Sequence, residues 1–258
     1  MATALITGGT SGIGYAFARE FARRGTDLVI VARDTARMDE IAQDFEQTYG
    51  ITVETLTADL AERADMERIA ERIEDDSRPL DWVINNAGFG LRSTVLDASY
   101  NDTHARALQV MCLAVLILGG AAGRAMARRG SGRIINVASS ASTILTGNYS
   151  AVKAWCYNYS ESLGQELRGT GVTVTALCPG WVKTEFHERA GIKAHSLPNI
   201  VWIDTDVLIR DAMRDAEKGK EMSVPSWKWR LALVVAKFAP KSFLRWFSRK
   251  LTASRKKK

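Results

Sequence analysis

Proline is scarce, at five in 258 residues, and no low-complexity linker or internal repeat is visible, so a domain boundary has nowhere obvious to fall. A chain of this length suits one α/β domain able to bury a substantial core. Cysteine is scarcer still. Cys112, Cys156 and Cys178 lie in apolar segments without metal-ligand spacing. That argues against a disulfide framework or a metal site and for reduced core thiols in a cytoplasmic protein. His104, His187 and His195 are too scattered to form a site and read as surface or loop residues. No apolar run reads as approaching the ~20 residues of a membrane span. The first strand pattern begins at residue 2, so no signal peptide is expected. Acid is missing altogether from 222 to 258.

What is present is an alternation of strand and helix patterns. Residues 2–7, Asp27 to Ala32, Ile51 to Thr57, Asp81 to Asn85, Gly132 to Ala138 and Val172 to Cys178 read as strands, separated by helical patterns. Near-continuous Val/Ile/Leu runs fit parallel strands covered on both faces. The expected fold is a single-domain, Rossmann-type, doubly wound parallel β-sheet flanked by helices, with its ligand at the carboxyl edge. Thr7, Arg33, Asp59, Asn85, Ser139 and Pro179 all fall at or just beyond a strand's carboxyl end, which implies one site.

The first strand runs straight into Gly8-Gly9-Thr10-Ser11-Gly12-Ile13-Gly14. Ile13, Ala16, Phe17 and Phe21 then recur at helical spacing, with Arg19, Glu20, Arg23 and Arg24 mainly on the other side. Strand, glycine turn and helix form a phosphate-binding arrangement. Glycine lets the backbone approach a pyrophosphate, whose charge is stabilised by free amides at the helix start. The spacing Gly-x-x-x-Gly-x-Gly is a variant of the dinucleotide fingerprint.

Tyr149 and Lys153, four residues apart, can share one helix face. An ammonium beside a phenol favours the phenolate, which makes the pair a proton donor suited to acid/base work. The spacing by itself also suits an exposed aromatic beside a solvated lysine.

With these residues in view, the chain resembles the short-chain dehydrogenase/reductase family from residue 2 to about 225. The motifs that carry the resemblance occur in order: Thr7 to Gly14, Asp59-Leu60, Asn85-Asn86-Ala87-Gly88, Asn136-Val137-Ala138-Ser139-Ser140, Tyr149/Lys153 and Pro179-Gly180-Trp181-Val182-Lys183-Thr184. The resemblance implies that Tyr149 is the general acid of carbonyl reduction and that Lys153 supports it while holding the nicotinamide ribose. Ser139, with Ser140 as the fallback, would orient the substrate oxygen. It further implies cofactor contacts at Gly8, Thr10, Ser11, Gly12, Ile13, Gly14, Asp59, Leu60, Asn85, Ala87, Gly88, Tyr149 and Lys153. Pro179, Gly180, Val182 and Thr184 would pass over the nicotinamide. The interval from Ser139 to Tyr149 is shorter than the family's most familiar spacing, so the loop between them is trimmed.

Cofactor choice turns on the end of the second strand, where NAD enzymes place an acid for the ribose hydroxyls. Ala32 stands there, and Arg33 follows with a guanidinium suited to a 2′-phosphate, which predicts NADP(H). Asp34 is expected to cap a helix beginning near Thr35, and Arg37 is either a second contact or a solvated helix residue. One departure from the family is Met111, which stands where an asparagine usually supports a water-linked proton relay. A thioether cannot do that job. A non-enzymatic reading therefore stays beside the enzymatic one: an NADPH-binding sensor or interaction protein with little catalysis. The intact Ser139/Tyr149/Lys153 set argues for the enzyme.

Phe89, Leu145, Trp181, Phe186, Leu197 and Trp202 are candidate pocket linings, with Lys183 and Lys193 as polar exceptions. They predict a hydrophobic ketone or aldehyde as substrate. Residues 1–225 are expected to hold the cofactor and substrate sites, and 226–258 to form a basic, aromatic, amphipathic tail. Residues 222 to 258 hold eleven Lys and Arg, so the chain's formal +6 is an excess of eleven there over a deficit of five in the first 221 residues. Phe243, Trp246, Phe247 and Leu251 would lie along one side of a helix. That pattern suits peripheral contact with an anionic membrane surface; the alternatives are packing on the pocket or a subunit interface and, less favoured, nucleic acid. The resemblance also suggests a homodimer or homotetramer pairing through helices around Thr103 to Arg128 and Asn148 to Arg168.

Overall fold

The structure is a computed structural model that describes residues 2–91, 93–182, 202–240, 242, 245 and 246. The branched apolar runs become strands β1 (Thr3–Thr7), β2 (Asp27–Ala32), β3 (Val53–Thr57), β4 (Trp82–Asn85), β5 (Gly132–Val137) and β6 (Val172–Leu177). A two-residue strand, β9 (Met222–Ser223), completes a seven-stranded sheet of order β3-β2-β1-β4-β5-β6-β9 in which every pairing is parallel. The order reverses direction beside β1, which opens a crevice at the carboxyl ends of β1 and β4.

Side chains alternate between the sheet's two faces and meet different helices. Ala4, Ile6, Leu28 and Ile30 share one cluster with Phe17 and Phe21 of α1 (Gly12–Arg23), Met38 and Phe45 of α2 (Thr35–Tyr49), and Leu208 and Met213 of α7 (Thr205–Glu217). Leu5, Val29, Val83 and Ile134 face the other way. They join Met66 and Ile69 of α3 (Arg63–Glu74), Leu118 and Ala122 of α5 (Ala114–Arg129), and Val152 and Leu163 of α6 (Asn148–Glu166). Two covered faces explain why the strands read as unbroken apolar runs.

Helix α4 (Asn101–Leu108) joins α5 through a wide π turn, Gln109–Leu113, so helix continues from Ala98 to Arg129. The expectation of no membrane-length apolar run is corrected here, because this stretch is long and apolar enough by length and composition. It is a core helix, mostly buried against the sheet, α3 and α6. Near the carboxyl edge, β7 (Trp181–Val182) and β8 (Trp202–Ile203) form a separate parallel pair. Asp215, almost fully buried at the end of α7, accepts from Lys220 Nζ at 2.6 Å and Ser223 Oγ at 2.8 Å, which anchors the edge strand β9. Helix α8 (Trp227–Phe238) begins one residue beyond the proposed tail boundary, yet Trp229 and Leu233 pack on a core cluster around Cys156, Cys178 and Val224.

Candidate active site

The turn after β1 is shaped by contacts that leave no room for side chains. A β-carbon at Gly14 would lie 2.2 Å from the Gly8 carbonyl oxygen and 2.4 Å from Asn86 Nδ2, so only glycine fits. Gly8 and Gly12 adopt φ of 67° and 54°, in the left-handed region that favours glycine. Ser11 caps α1 in extended conformation, and the first amides of α1, including those of Ile13 and Gly14, have no intrahelical acceptor. Thr10 is half-buried on the same turn. The turn is clamped from β4: Asn86 Nδ2 donates to the Thr7 carbonyl at 2.9 Å, and Thr7 Oγ1 accepts from the amides of Asn86 at 2.9 Å and Ala87 at 3.0 Å. Thr7 lies at the strand end that the sequence marks, and Asn86, inside the Asn85-Asn86-Ala87-Gly88 motif, is a clamp that the sequence reading does not single out.

Arg33 follows β2, exposed, and among the described residues it forms no ion pair. Asp34 caps α2 as expected, accepting from the Arg37 amide at 3.1 Å, and the helix begins at Thr35. The Arg37 guanidinium bonds Glu40 at 2.8 Å. Asp59, beyond β3, is held by Arg106 of α4 at 2.5 Å and by the Ala61 amide at 3.0 Å. Burial would raise its carboxyl, but those bonds, helped by the positive field of Arg33, hold it below the usual carboxylate range. Leu60 beside it is buried. These charges fit an adenosine phosphate end.

The other end of the edge gathers side chains from β5 and α6. Lys153 is buried and donates to the Val137 carbonyl at 2.7 Å, which ties α6 to the strand end two residues before Ser139. Its Nζ lies 6.0 Å from the Tyr149 ring centroid. Ser139 is half-buried in extended conformation, and its Oγ caps the 3-10 turn Ser140–Thr143 by accepting from the Ala141 amide at 3.1 Å. Ser140, the fallback, follows on the same turn, with its amide donating to the Pro179 carbonyl at 2.9 Å. Helix α6 packs on this turn, so Ser139, Tyr149 and Lys153 occupy one neighbourhood.

Beneath them runs a buried polar chain. Asn85 Nδ2 donates to Asn136 Oδ1 at 2.8 Å, Asn136 Nδ2 to Ser160 Oγ at 3.0 Å, and Ser160 Oγ to the Cys156 carbonyl at 2.7 Å. Asn85 thus spends its side chain beneath the site, leaving its main chain for any ligand, and its Oδ1 is a buried acceptor that has no donor among the described residues. The three thiols are buried as expected. Burial pushes Cys112 up to about 11, Cys178 up to about 12 and Cys156 upward too, against the field of Lys153.

Pro179-Gly180 leads into β7, where Val182 is buried and the rings of Trp181 and Trp202 meet edge-on at 5.9 Å. A residue unforeseen in this role, Trp229 of α8, lies flat on Gly180: a β-carbon there would be 2.1 Å from the indole. Of the other candidate linings, Phe89 packs on the core and Leu145 is 61% exposed. Thr184, Lys183, Phe186, Lys193 and Leu197, with His187 and His195, lie outside the described residues.

His104 corrects the surface reading given to it. It is buried, with Nδ1 3.2 Å from Asn148 Nδ2 and Nε2 3.3 Å from Ser93 Oγ, and so joins the loop after β4 to the residue preceding Tyr149. It shares the buried side of α4 with Ala107. Met111 is buried at the π turn, and a β-carbon at Gly88 would lie 3.0 Å from its sulfur. Met111, at the wide turn, therefore packs directly against Gly88.

The glycine cradle and the amides at the start of α1 fit the pyrophosphate of a dinucleotide at the carboxyl edge. Comparison with known proteins agrees. The family profile described as short chain dehydrogenase matches residues 2–194. The chain is 32% identical over 203 residues to the 3-oxoacyl-[acyl-carrier-protein] reductase of Escherichia coli, covering 74% of this chain and 80% of that protein. A short-chain dehydrogenase from Sphingobium yanoikuyae, solved in complex with NADPH, superposes with a TM-score of 0.83 at 32% identity, over 90% of this chain and 92% of that one. The bulky-bulky ketone specific alcohol dehydrogenase of Comamonas testosteroni superposes with a TM-score of 0.79 at 28% identity, over 92% of each chain.

Proposed function

This chain belongs to the short-chain dehydrogenase/reductase family of nicotinamide-dependent oxidoreductases, and from that premise we propose that it uses NADPH to reduce the carbonyl of a hydrophobic ketone or aldehyde, or runs the reverse oxidation, at Ser139, Tyr149 and Lys153. The observation that carries this reading is the buried Lys153, fixed to the end of β5 and one helical turn from Tyr149. A core lysine at a ligand edge needs a task that repays its burial.

When bound, the cofactor supplies or accepts the hydride. The glycine cradle and the amides of α1 hold its pyrophosphate, and Arg33 meets the 2′-phosphate through charge-assisted hydrogen bonds. Asp59, Leu60, the main chain of Asn85, Ala87 and Gly88, and the Pro179 to Val182 turn line its path, with Thr184 beyond. Tyr149 Oη gives its proton to the substrate oxygen, and Ser139 Oγ donates a hydrogen bond to the same atom. Lys153 keeps donors beyond the one spent on Val137, and its charge stabilises the phenol oxygen as negative charge develops there.

Trp181, Trp202 and Trp229 offer an apolar wall, which favours a lipophilic substrate and excludes water from the transfer. The names of the Escherichia coli and Comamonas testosteroni relatives support the same class. Leu108 and Leu116, exposed on the long helix, support pairing of subunits there. Met111 favours the rival reading, a cofactor binder with little turnover. Purified protein supplied with 3-oxoacyl thioesters, bulky ketones and aldehydes should oxidise NADPH faster than NADH. Faster oxidation of NADH, or turnover of small sugars and polyols alone, would overturn the proposal.

A further inference from the structure

Helix α8 presents apolar side chains on two sides. Trp229 and Leu233 point inward to Gly180 and the cluster around Cys178 and Val224. Trp227, Leu231 and Val235, spaced at i, i+4 and i+8, form a second stripe and remain 68%, 57% and 56% exposed. A helix resting on a core needs one such stripe. The second, contiguous and carrying a tryptophan, marks a surface that something covers.

Charge identifies the occupant. Lys228 and Arg230 are exposed at the margins of the outer stripe, the placement that lets basic side chains reach lipid headgroups while apolar neighbours enter the acyl boundary. Eleven Lys and Arg and no acid lie between 222 and 258, against a net deficit of five over the first 221 residues. A second copy docked through the same stripe would bring two such strongly basic segments together. We propose that the outer face of α8 docks on an anionic phospholipid surface, with Lys228 and Arg230 on the headgroups.

The inner face of this helix covers Gly180 and packs on the 3-10 turn that follows Ser139. One side of α8 therefore roofs the site while the other meets lipid, so a lipophilic carbonyl reaches the site from the bilayer. That last step rests on the proposed function; docking does not, and it is tested without catalysis.

Full-length protein is sedimented with phosphatidylcholine vesicles, with and without phosphatidylglycerol. Wild type should sediment with the anionic vesicles, stay in solution with the neutral ones, and be released by added salt. A variant combining Trp227→Ser, Leu231→Ser and Val235→Ser should bind NADPH as wild type does, which shows the fold intact, and should partition at least about tenfold more weakly. Charge reversal at Lys228 and Arg230 should weaken partitioning as well. Absence of wild type from the anionic pellet, or equal sedimentation of the triple variant, would overturn the proposal. So would self-association that the triple variant abolishes without vesicle binding, or DNA binding that the triple variant keeps in place of vesicle binding.

Discussion

The two ends of the ligand edge are built by different means. At β1 and β2 the main chain does the shaping: glycine leaves space, helix amides supply charge, and Thr7 and Asn86 pin the turn. At β5 and β6 the shape comes from side chains brought from far apart in the chain, with Lys153 on Val137, His104 on Asn148 and Trp229 on Gly180. A main-chain site tolerates almost no added atoms. A side-chain site tolerates change but loses alignment, so the first end should fail in binding and the second in turnover.

Gly14→Ala would sharpen that contrast most. Its methyl group would collide with fixed backbone, and NADPH affinity measured by fluorescence titration should fall by roughly a hundredfold, as expected for about 2–3 kcal/mol of overpacking. Retained affinity would show that the cradle is looser than its contacts. Arg33→Ala should cost less, about tenfold to a hundredfold in NADPH affinity with NADH affinity unchanged, as befits one charge-assisted contact. Equal losses for both cofactors would remove Arg33 from 2′-phosphate recognition.

Trp229→Ala probes the other end. Removing a partly buried indole from Gly180 should lower unfolding stability by about 2–3 kcal/mol while NADPH affinity changes little. Denaturant melts and cofactor titration on the same samples would separate the two effects, and intact stability would mean that the roof is not packed.

The smallest expected effect is a pH dependence. Cys112, Cys156 and Cys178 have thiols raised above the ordinary value of about 8.5, because burial disfavours the thiolate. The unfolded chain loses these protons first as pH climbs, so their contribution is complete below about pH 8 and declines above it, toward the folded values. Replacing all three with Ala should flatten the stability profile between pH 8 and about pH 10, and an unchanged slope would assign it to other groups.

The same contrast explains what the sequence made legible. Strand periods, the glycine turn and the Asp34 cap are local, and β2 and the start of α2 fall where the residues predict. The two-residue strands β7, β8 and β9 are too short to carry a period and form only where neighbours supply hydrogen bonds. Burial of His104 and the seat of Trp229 on Gly180 depend on segments more than 40 residues away, which no local pattern encodes. The apolar centre of the 98–129 helix is hard to read in the sequence because Gln109 and a run of glycine and alanine dilute it, although the fold buries most of it. The wide turn at Met111 has no local signature either.

The most direct test is one protein read in two ways. Tyr149→Phe keeps the ring and removes the proton donor, so NADPH binding should stay within about twofold of wild type and carbonyl-dependent NADPH oxidation should fall by about 10²–10⁴-fold. Turnover retained in that variant would contradict the assignment of Tyr149 as the acid, and with it the division of the edge into a binding end and a chemical end.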